Sequence, residues 1–390
     1  MSSQATTFPS LPETHRALLV KSTDSPLTLT TLPLPVAPHG SALIRVLANQ
    51  VISYARAVYS STGRAYPFPL PLIAGASGIG RIATLPPDAS TLQIGQLVFV
   101  DCTTRARDNP GAIYLAGVHS GHTDGSRKLM DDDSLGLGGW RDGCVSQFTI
   151  APLENLTLLD EKRLCGAPSD GGLWYSVERL AFLSTLLVPY GGLRDVGLTA
   201  GETVVIAPAT AGFSGAAVMV ALAMGARVLA MGRDEEKLAR LEKVFGREKV
   251  RAVKITNDAD EDAKTLREVW GETDVFFDIS PRQAIQSTHF KSGILSLKHR
   301  GRVSMMGGQR GDVAIPMEYV MHRDISLKGK WMYERDAVIG LVKMIESGVL
   351  GLKAEDGVDV IGVFGLEEWD NAFTVAAESN WPGSVTVIKP

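Results

Sequence analysis

Glu202 to Lys237 reads ETVVIAPATAGFSGAAVMVALAMGARVLAMGRDEEK. It opens with an apolar run, Thr203 to Ala207, rich in β-branched residues and short enough for a buried parallel strand. A turn is expected over Pro208–Ser214. Gly215 to Met224 is apolar nearly all round, as in a helix packed on a sheet. Gly225 stops it, and a second strand pattern, Arg227 to Met231, ends at Gly232-Arg233. Strand, glycine turn, helix and strand within about thirty residues make a βαβ unit.

The turn carries chemistry. Gly212 and Gly215 stand where the second and third glycines of G-x-G-x-x-G fall, and Thr210 takes the first position. In such a turn the second glycine lets backbone approach a pyrophosphate, and the third lets the helix pack on the strand. Phosphate is expected on the N–H groups of Phe213, Ser214 and Gly215, at the positive end of the helix. A glycine pair alone is weak, and its place between a strand and a helix is what gives it meaning. The alternative is an ordinary buried βαβ turn.

With 390 residues the chain is too long for one core, so two domains are expected. A net charge of -4 gives no reason to expect nucleic acid or an anionic membrane as partner. No apolar run reaches transmembrane length. Residues 1–15 lack the pattern of a signal peptide and read as a disordered lead-in. Three scattered cysteines, Cys102, Cys144 and Cys165, suit a reducing, cytoplasmic setting.

Upstream of the βαβ unit, β-branched runs lie at Ala17–Val20, Leu27–Leu32, Ala42–Ile52, Ile79–Leu85, Gln96–Val100 and Val145–Ile150, punctuated by Pro and Gly. They predict a small, mostly antiparallel β domain. Between Val100 and Cys144 lies a polar, Gly-rich stretch of about forty residues, beyond the usual loop length and expected to be functional or mobile. Leu173–Leu187 predicts a helix. Downstream, helices over Asp234–Phe245, Ala259–Trp270 and Ala337–Ser347 alternate with strands over Val250–Ile255, Asp274–Ile279, Gly301–Met306 and Ile325–Tyr333, which predicts a doubly wound parallel sheet. Gly307-Gly308 closes one of these strands at the carboxyl edge. Asp278 ends another, as a ligand or, more simply, a turn cap.

The chain resembles the medium-chain dehydrogenase/reductase superfamily. The resemblance rests on ALLVKS, PHGSALIRVLANQVIS, AYPFPLPLIAGASGIGRI, IGQLVFV, SQFTIAPLENL, GLTAGETVVIAPATAGFSGAA, ARVLAMGR and GRVSMMGG, in that order from about Arg16 to Ile388. It implies an α/β chain with a GroES-like, β-rich catalytic domain (16–185 and 335–390), a Rossmann domain with a doubly wound parallel sheet (186–334), and an active-site cleft between them. Zinc-dependent members supply Cys, His and Cys where this chain has Ser53, Ala76 and approximately Ser184, and neither serine nor alanine replaces thiolate or imidazole. The chain is thus similar to the zinc-independent quinone oxidoreductases and enoyl reductases, with no metal expected.

Without zinc, charge developing on a substrate oxygen has to be met by protein donors. Tyr54, beside Ser53, and Tyr66, in Ala65-Tyr66-Pro67, are the candidates, and Ser53 is a third. For each the plainer reading is a packing tyrosine or a backbone-capping serine. His119, His122 and Asp124 read as a solvated loop rather than a metal site, and Asp131-Asp132-Asp133 as a solvated run. Gly232 offers no carboxylate to a ribose 2′-hydroxyl, while Arg233 and Lys237 offer cations to a 2′-phosphate, so the expected cofactor is NADP; the plainer reading of Arg233 is the start of a charged helix beside Glu235 and Glu236. The resulting expectation is an NADPH-dependent reductase acting on an activated C=C, quinone or carbonyl of a small-molecule substrate, with a homodimer left open. The alternative is a nonredox isomerase or cyclase on the same fold with an idle or lost cofactor.

Overall fold

The computed structural model describes residues 10–64, 66–131 and 140–390. Most of the expected lead-in (1–9), and Asp132 and Asp133, lie outside the described residues. The chain divides into two compact units.

The first unit comprises residues 1–181, 360–378 and 385–390. Its strands are β1 (Thr14–Val20), β2 (Thr28–Pro33), β3 (Ser41–Gln50), β4 (Leu72–Ile73), β5 (Gly78–Thr84), β6 (Leu97–Val100), β7 (Thr103–Arg105), β8 (Ile113–Leu115), β9 (Phe148–Pro152) and β10 (Leu156–Leu158). β1 begins at Thr14, inside the stretch expected to be disordered. β1 pairs antiparallel with β2 and β4, and β3 pairs antiparallel with β5 and β9. The period-two alternation of β3 serves two cores. Ala42, Ile44 and Val46 enter one cluster, and Leu43 enters another with Phe148 and Ile150. Four short helices, α1 (Ala55–Val58), α2 (Asp124–Asp131), α3 (Glu161–Cys165) and α4 (Val177–Leu180), complete this part.

The stretch from Val100 to Cys144 overturns its expectation as a long polar loop. Its described residues include the β7–β8 hairpin and α2, and they bury Cys102, Tyr114, Ala116, Val118 and Met130 in one hydrophobic core. The apolar residues are too widely spaced among polar ones to show a period, which is why this piece of core reads as loop. His119, expected in solvent, is 7% exposed.

The second unit comprises residues 182–359 and 379–384. β11 (Thr203–Ala207), β12 (Arg227–Gly232), β13 (Val250–Lys254), β14 (Thr273–Asp278), β15 (Leu297–Met305) and β16 (Ser326–Gly329) form one parallel sheet in the order β13-β12-β11-β14-β15-β16. The order reverses between β11 and β14, the position at which such sheets bind ligands beyond their carboxyl ends. β11 is buried throughout because α helices cover it. The helices are α5 (Leu183–Asp195), α6 (Gly212–Ala223), α7 (Glu235–Phe245), α8 (Ala259–Trp270), α9 (His289–Leu295), α10 (Met317–His322) and α11 (Arg335–Glu346). α12 (Trp369–Glu378), β17 (Asp359–Phe364) and β18 (Ser384–Ile388) return the chain to the first unit, where β18 pairs with β3.

Two boundaries differ from the sequence reading. The helix expected over Leu173–Leu187 is instead α4 and α5, and α5 runs through Pro189, Gly191 and Gly192. Those residues look like a stop, yet packing requires them. A Cβ on Gly191 would lie 2.6 Å from the Tyr333 Cβ, and one on Gly192 would lie 2.8 Å from Phe277. Residues 335–359, expected in the first domain, cluster with the second unit. α11 packs against α5 there, and a Cβ on Gly340 would sit 2.7 Å from the Tyr190 hydroxyl.

Candidate functional site

In the second unit the glycine turn lies between β11 and α6, at the strand-order reversal. α6 starts at Gly212, three residues before the expected start, with Ala211 at its N-cap. The Ala211 N–H donates to Ser214 Oγ over 3.0 Å, which closes the first turn. Gly215 N–H donates to the Ala211 carbonyl over 2.7 Å. It is therefore a helical donor, which corrects its assignment as a phosphate ligand. The N–H groups of Gly212, Phe213 and Ser214 belong to the first turn, and that of Gly212 donates to Asn380 Oδ1 over 2.9 Å. Gly215 is small for a different reason from the one expected. A Cβ there would lie 2.4 Å from the Pro382 Cα, so it makes room for the segment 379–384.

Thr210, at the first motif position, faces the end of β12. A Cβ on Gly232 would lie 2.9 Å from Thr210 Cγ2. The position where an NAD-type carboxylate would stand is thus sterically closed as well as uncharged. Arg233 follows, exposed and, among the described residues, without a bonded partner. Asp234 is the N-cap of α7 rather than its first residue, and its carboxylate accepts from the Lys237 N–H. The Lys237 ammonium, expected on phosphate, donates to the Asn380 carbonyl over 3.2 Å and lies 3.7 Å from Asp234.

Gly307, past the end of β15, leaves no space for a side chain, since a Cβ would lie 2.2 Å from Asp278 Oδ2. Asp278 is no exposed turn cap. It is 4% exposed and bonds to the Ser280 hydroxyl and, over 3.1 Å, to His289 Nε2. Ser280 Oγ lies 2.6 Å from the same His289 nitrogen, and His289 Nδ1 lies 2.8 Å from Ser287 Oγ. The Gly308 N–H donates to the Ser280 carbonyl, so this buried network fixes the Gly307-Gly308 turn. His289 carries no sequence signal. It is a single histidine in a stretch without clear periodicity.

In the first unit, Ser53 and Tyr54 form the turn that enters α1. Both are half-buried, and Ser53 caps no backbone group among the described residues. The Arg64 guanidinium lies 3.6 Å over the Tyr54 ring and donates to Tyr66 Oη over 2.8 Å. The Tyr66 ring meets His119 edge-on at 4.8 Å, and His122 lies 4.8 Å beyond. His119 Nδ1 accepts from the Gly121 N–H, so its neutral ring carries the proton on Nε2. Burial, reinforced by His122, lowers its pKa to about 4. Burial likewise raises that of the Tyr54 phenol well above its ordinary value, helped by Tyr66. Tyr66 and Tyr54 are joined by Arg64, a residue not singled out from sequence. Only its place between Gly63 and the Tyr66-Pro67 pair could have suggested it.

Such an arrangement can donate a proton. Tyr66 Oη accepts from a permanent cation, and a phenol beside a cation is a candidate general acid. Of the residues that the resemblance aligns with zinc ligands, Ser53 lies in the turn before α1, Ala76 in the segment between β4 and β5, and Ser184, the approximate third, in α5. A hydroxyl-and-methyl set of this kind does not fit a zinc ion. Among the described residues no group of three His, Cys, Asp or Glu side chains could hold a metal. No described helix is long and apolar enough to cross a membrane.

Comparison with known proteins agrees with the fold. A family model described as zinc-binding dehydrogenase matches residues 212–347. That span begins at the glycine turn and contains none of Ser53, Ala76 and Ser184. An L-threonine 3-dehydrogenase of Enterobacter sp. (strain 638) is 21% identical over 381 residues, covering 95% of this chain and 98% of its own. Among solved structures, an NAD-dependent alcohol dehydrogenase superposes with a TM-score of 0.72 at 22% identity, covering 96% of this chain and 99% of its own. A cobalt- and zinc-bound thermostable alcohol dehydrogenase from Pyrobaculum aerophilum gives 0.69 at 18% identity, covering 97% and 100%. At these identities the likeness establishes the alcohol dehydrogenase fold and its two-domain architecture.

Proposed function

We propose that the chain is a member of the medium-chain dehydrogenase/reductase superfamily and a zinc-independent, NADPH-dependent reductase. It transfers hydride to an activated C=C, a quinone or a carbonyl of a small organic substrate. The observation that carries the reading is the end of β12. Gly232, closed in by Thr210, cannot be replaced by a carboxylate without displacing its neighbour, and the exposed Arg233 follows it. A planar guanidinium there suits a 2′-phosphate.

Residues of the α6 turn and the Gly307-Gly308 turn would hold the dinucleotide. When bound, it would supply the hydride. The chain's own contribution would be donation at the substrate oxygen from Tyr66, oriented by Arg64, with Tyr54 and Ser53 as neighbouring hydroxyls. The zinc and NAD named for related proteins belong to those proteins. Support for a metal-free reaction here is the identity of Ser53, Ala76 and Ser184. A cytoplasmic setting is part of the proposal, supported by three free cysteines. So is a homodimer, for which β16 offers a sheet edge unpaired among the described residues.

The test is direct. The purified protein is titrated with NADPH and NADH, then followed at the nicotinamide absorbance with enones, quinones and aldehydes. NADPH consumption with at least one class supports the proposal. Tight NADPH binding without turnover on any class favours the isomerase or cyclase alternative, which the Thr210 substitution in the glycine motif keeps in view.

A further inference from the structure

The segment Ser379–Ser384 connects two pieces of the first unit, yet it packs within the second. It does so on the glycine turn. Asn380 engages two of the positively polarised groups that a phosphate would seek there. Its side-chain oxygen takes the Gly212 N–H over 2.9 Å, and its backbone oxygen takes the Lys237 ammonium over 3.2 Å. The first group sits at the positive end of α6, and the second is a full cation at the start of α7. Pro382 closes over Gly215, at a distance that only a glycine allows.

The far end of the segment is anchored separately. The Arg240 guanidinium lies 4.7 Å over the Trp381 ring and bonds to Asp359 over 2.5 Å, and Asp359 N–H donates to the Gly383 carbonyl. The Trp381 Nε1 is buried and has no hydrogen-bond partner among the described residues. A strap held firmly at Trp381–Gly383 and by two hydrogen bonds at Asn380 can release the latter while keeping the former.

We propose that Asn380 stands in for a phosphate group of the dinucleotide, so that cofactor entry displaces it from Gly212 and Lys237. The strap is a built-in competitor whose removal tightens cofactor binding. This inference rests on the dinucleotide reading above. It is the reverse of a role for Asn380 as a cofactor ligand, and the two have opposite consequences.

NADPH and NADH are titrated into wild type, Asn380→Ala and Asn380→Asp, with binding read by calorimetry and by tryptophan fluorescence. Trp381→Phe identifies the strap's share of the signal. Asn380→Ala should bind both cofactors about three- to tenfold more tightly, the share of one neutral hydrogen bond no longer to be broken. Asn380→Asp should bind both more weakly than wild type, because a carboxylate holds the helix end more strongly and repels a pyrophosphate. Unchanged or weaker binding by Asn380→Ala, with its melting temperature retained, overturns the strap while leaving the dinucleotide reading intact. If neither wild type nor Asn380→Ala binds either dinucleotide at millimolar concentration, both fall.

Discussion

Arg64 Nη1 donates to Tyr66 Oη over 2.8 Å while its guanidinium covers the Tyr54 ring at 3.6 Å. One cation therefore sets apart two tyrosines that look equivalent in the sequence. Tyr54 offers Arg64 its π face, and its buried phenol holds its proton tightly. Tyr66 offers Arg64 its oxygen, as an acceptor over 2.8 Å.

Tyr66→Phe should accordingly lower turnover by about 10²–10³ on a true substrate, the usual cost of removing a donor aimed at a developing charge. NADPH affinity should stay within about twofold, since the phenol is assigned to the substrate. Tyr54→Phe should cost far less. Arg64→Lys should retain more activity than Arg64→Ala, because a cation remains near the phenol. Steady-state kinetics of the four variants decide it. Equal turnover in wild type and Tyr66→Phe would remove Tyr66 from the mechanism.

The parallel sheet was legible because each of its strands is a compact apolar run between turns, and β11 and α8 fall on their expected residues. Elements whose reason lies in distant partners were not. Pro189, Gly191 and Gly192 look like a helix stop until Tyr333 and Phe277 are placed against them. Tyr114 and Met130 look like loop residues until the hairpin and α2 bring them to one core. At the site, the glycine turn and Gly232-Arg233 could be read locally. Asn380 on Gly212 and Arg64 on Tyr66 depend on side-chain placement, for which a linear pattern carries no signal.

Dialysed protein should contain far less than one zinc per chain. Ser53, Ala76 and Ser184 supply neither thiolate nor imidazole, and the family match over 212–347 reaches none of them. Elemental analysis alongside an enzyme of known zinc content makes the comparison. Stoichiometric zinc that survives chelation would show that ligands outside these three positions had been overlooked.

Acid should act on the first unit through two groups of opposite sign. His119 has its pKa lowered to about 4 by burial, so the unfolded chain takes up its proton first. Its contribution to stability is full above about pH 6.5 and is lost as pH falls toward 4. Asp142, which accepts from the Ile73 N–H over 2.9 Å, is pushed up to about 6 by burial. Its contribution is full below about pH 3.8 and is lost as pH rises through 6. His119→Gln should therefore flatten the acid limb by about 1–2 kcal/mol after allowing for solvent screening, and Asp142→Asn should steepen it. Denaturant midpoints between pH 4 and 7.5 give the slopes. Parallel slopes for wild type and His119→Gln would mean that the imidazole is not held neutral.

The proposed preference for NADPH over NADH should rest on Arg233. Lys237 is already engaged, by the Asn380 carbonyl and the Asp234 carboxylate. Arg233 is exposed, bonds to none of the described residues, and follows the strand end where the cofactor ribose is read in this fold. A charge-assisted bond to a 2′-phosphate contributes roughly 1.5–3 kcal/mol, so Arg233→Ala should weaken NADPH by about ten- to a hundredfold and leave NADH nearly unchanged. Lys237→Ala should have a smaller effect, because its ammonium has to leave two existing partners to reach the phosphate. Gly232→Asp cannot simply convert the site to NADH, since its Cβ would lie 2.9 Å from Thr210 Cγ2. Paired with Thr210→Gly, which clears that contact, it should raise NADH affinity and depress that for NADPH. Titration of all four proteins with both cofactors settles the point. A wild type that prefers NADH, or an Arg233→Ala variant that weakens both equally, would show that the strand end does not read the 2′-phosphate.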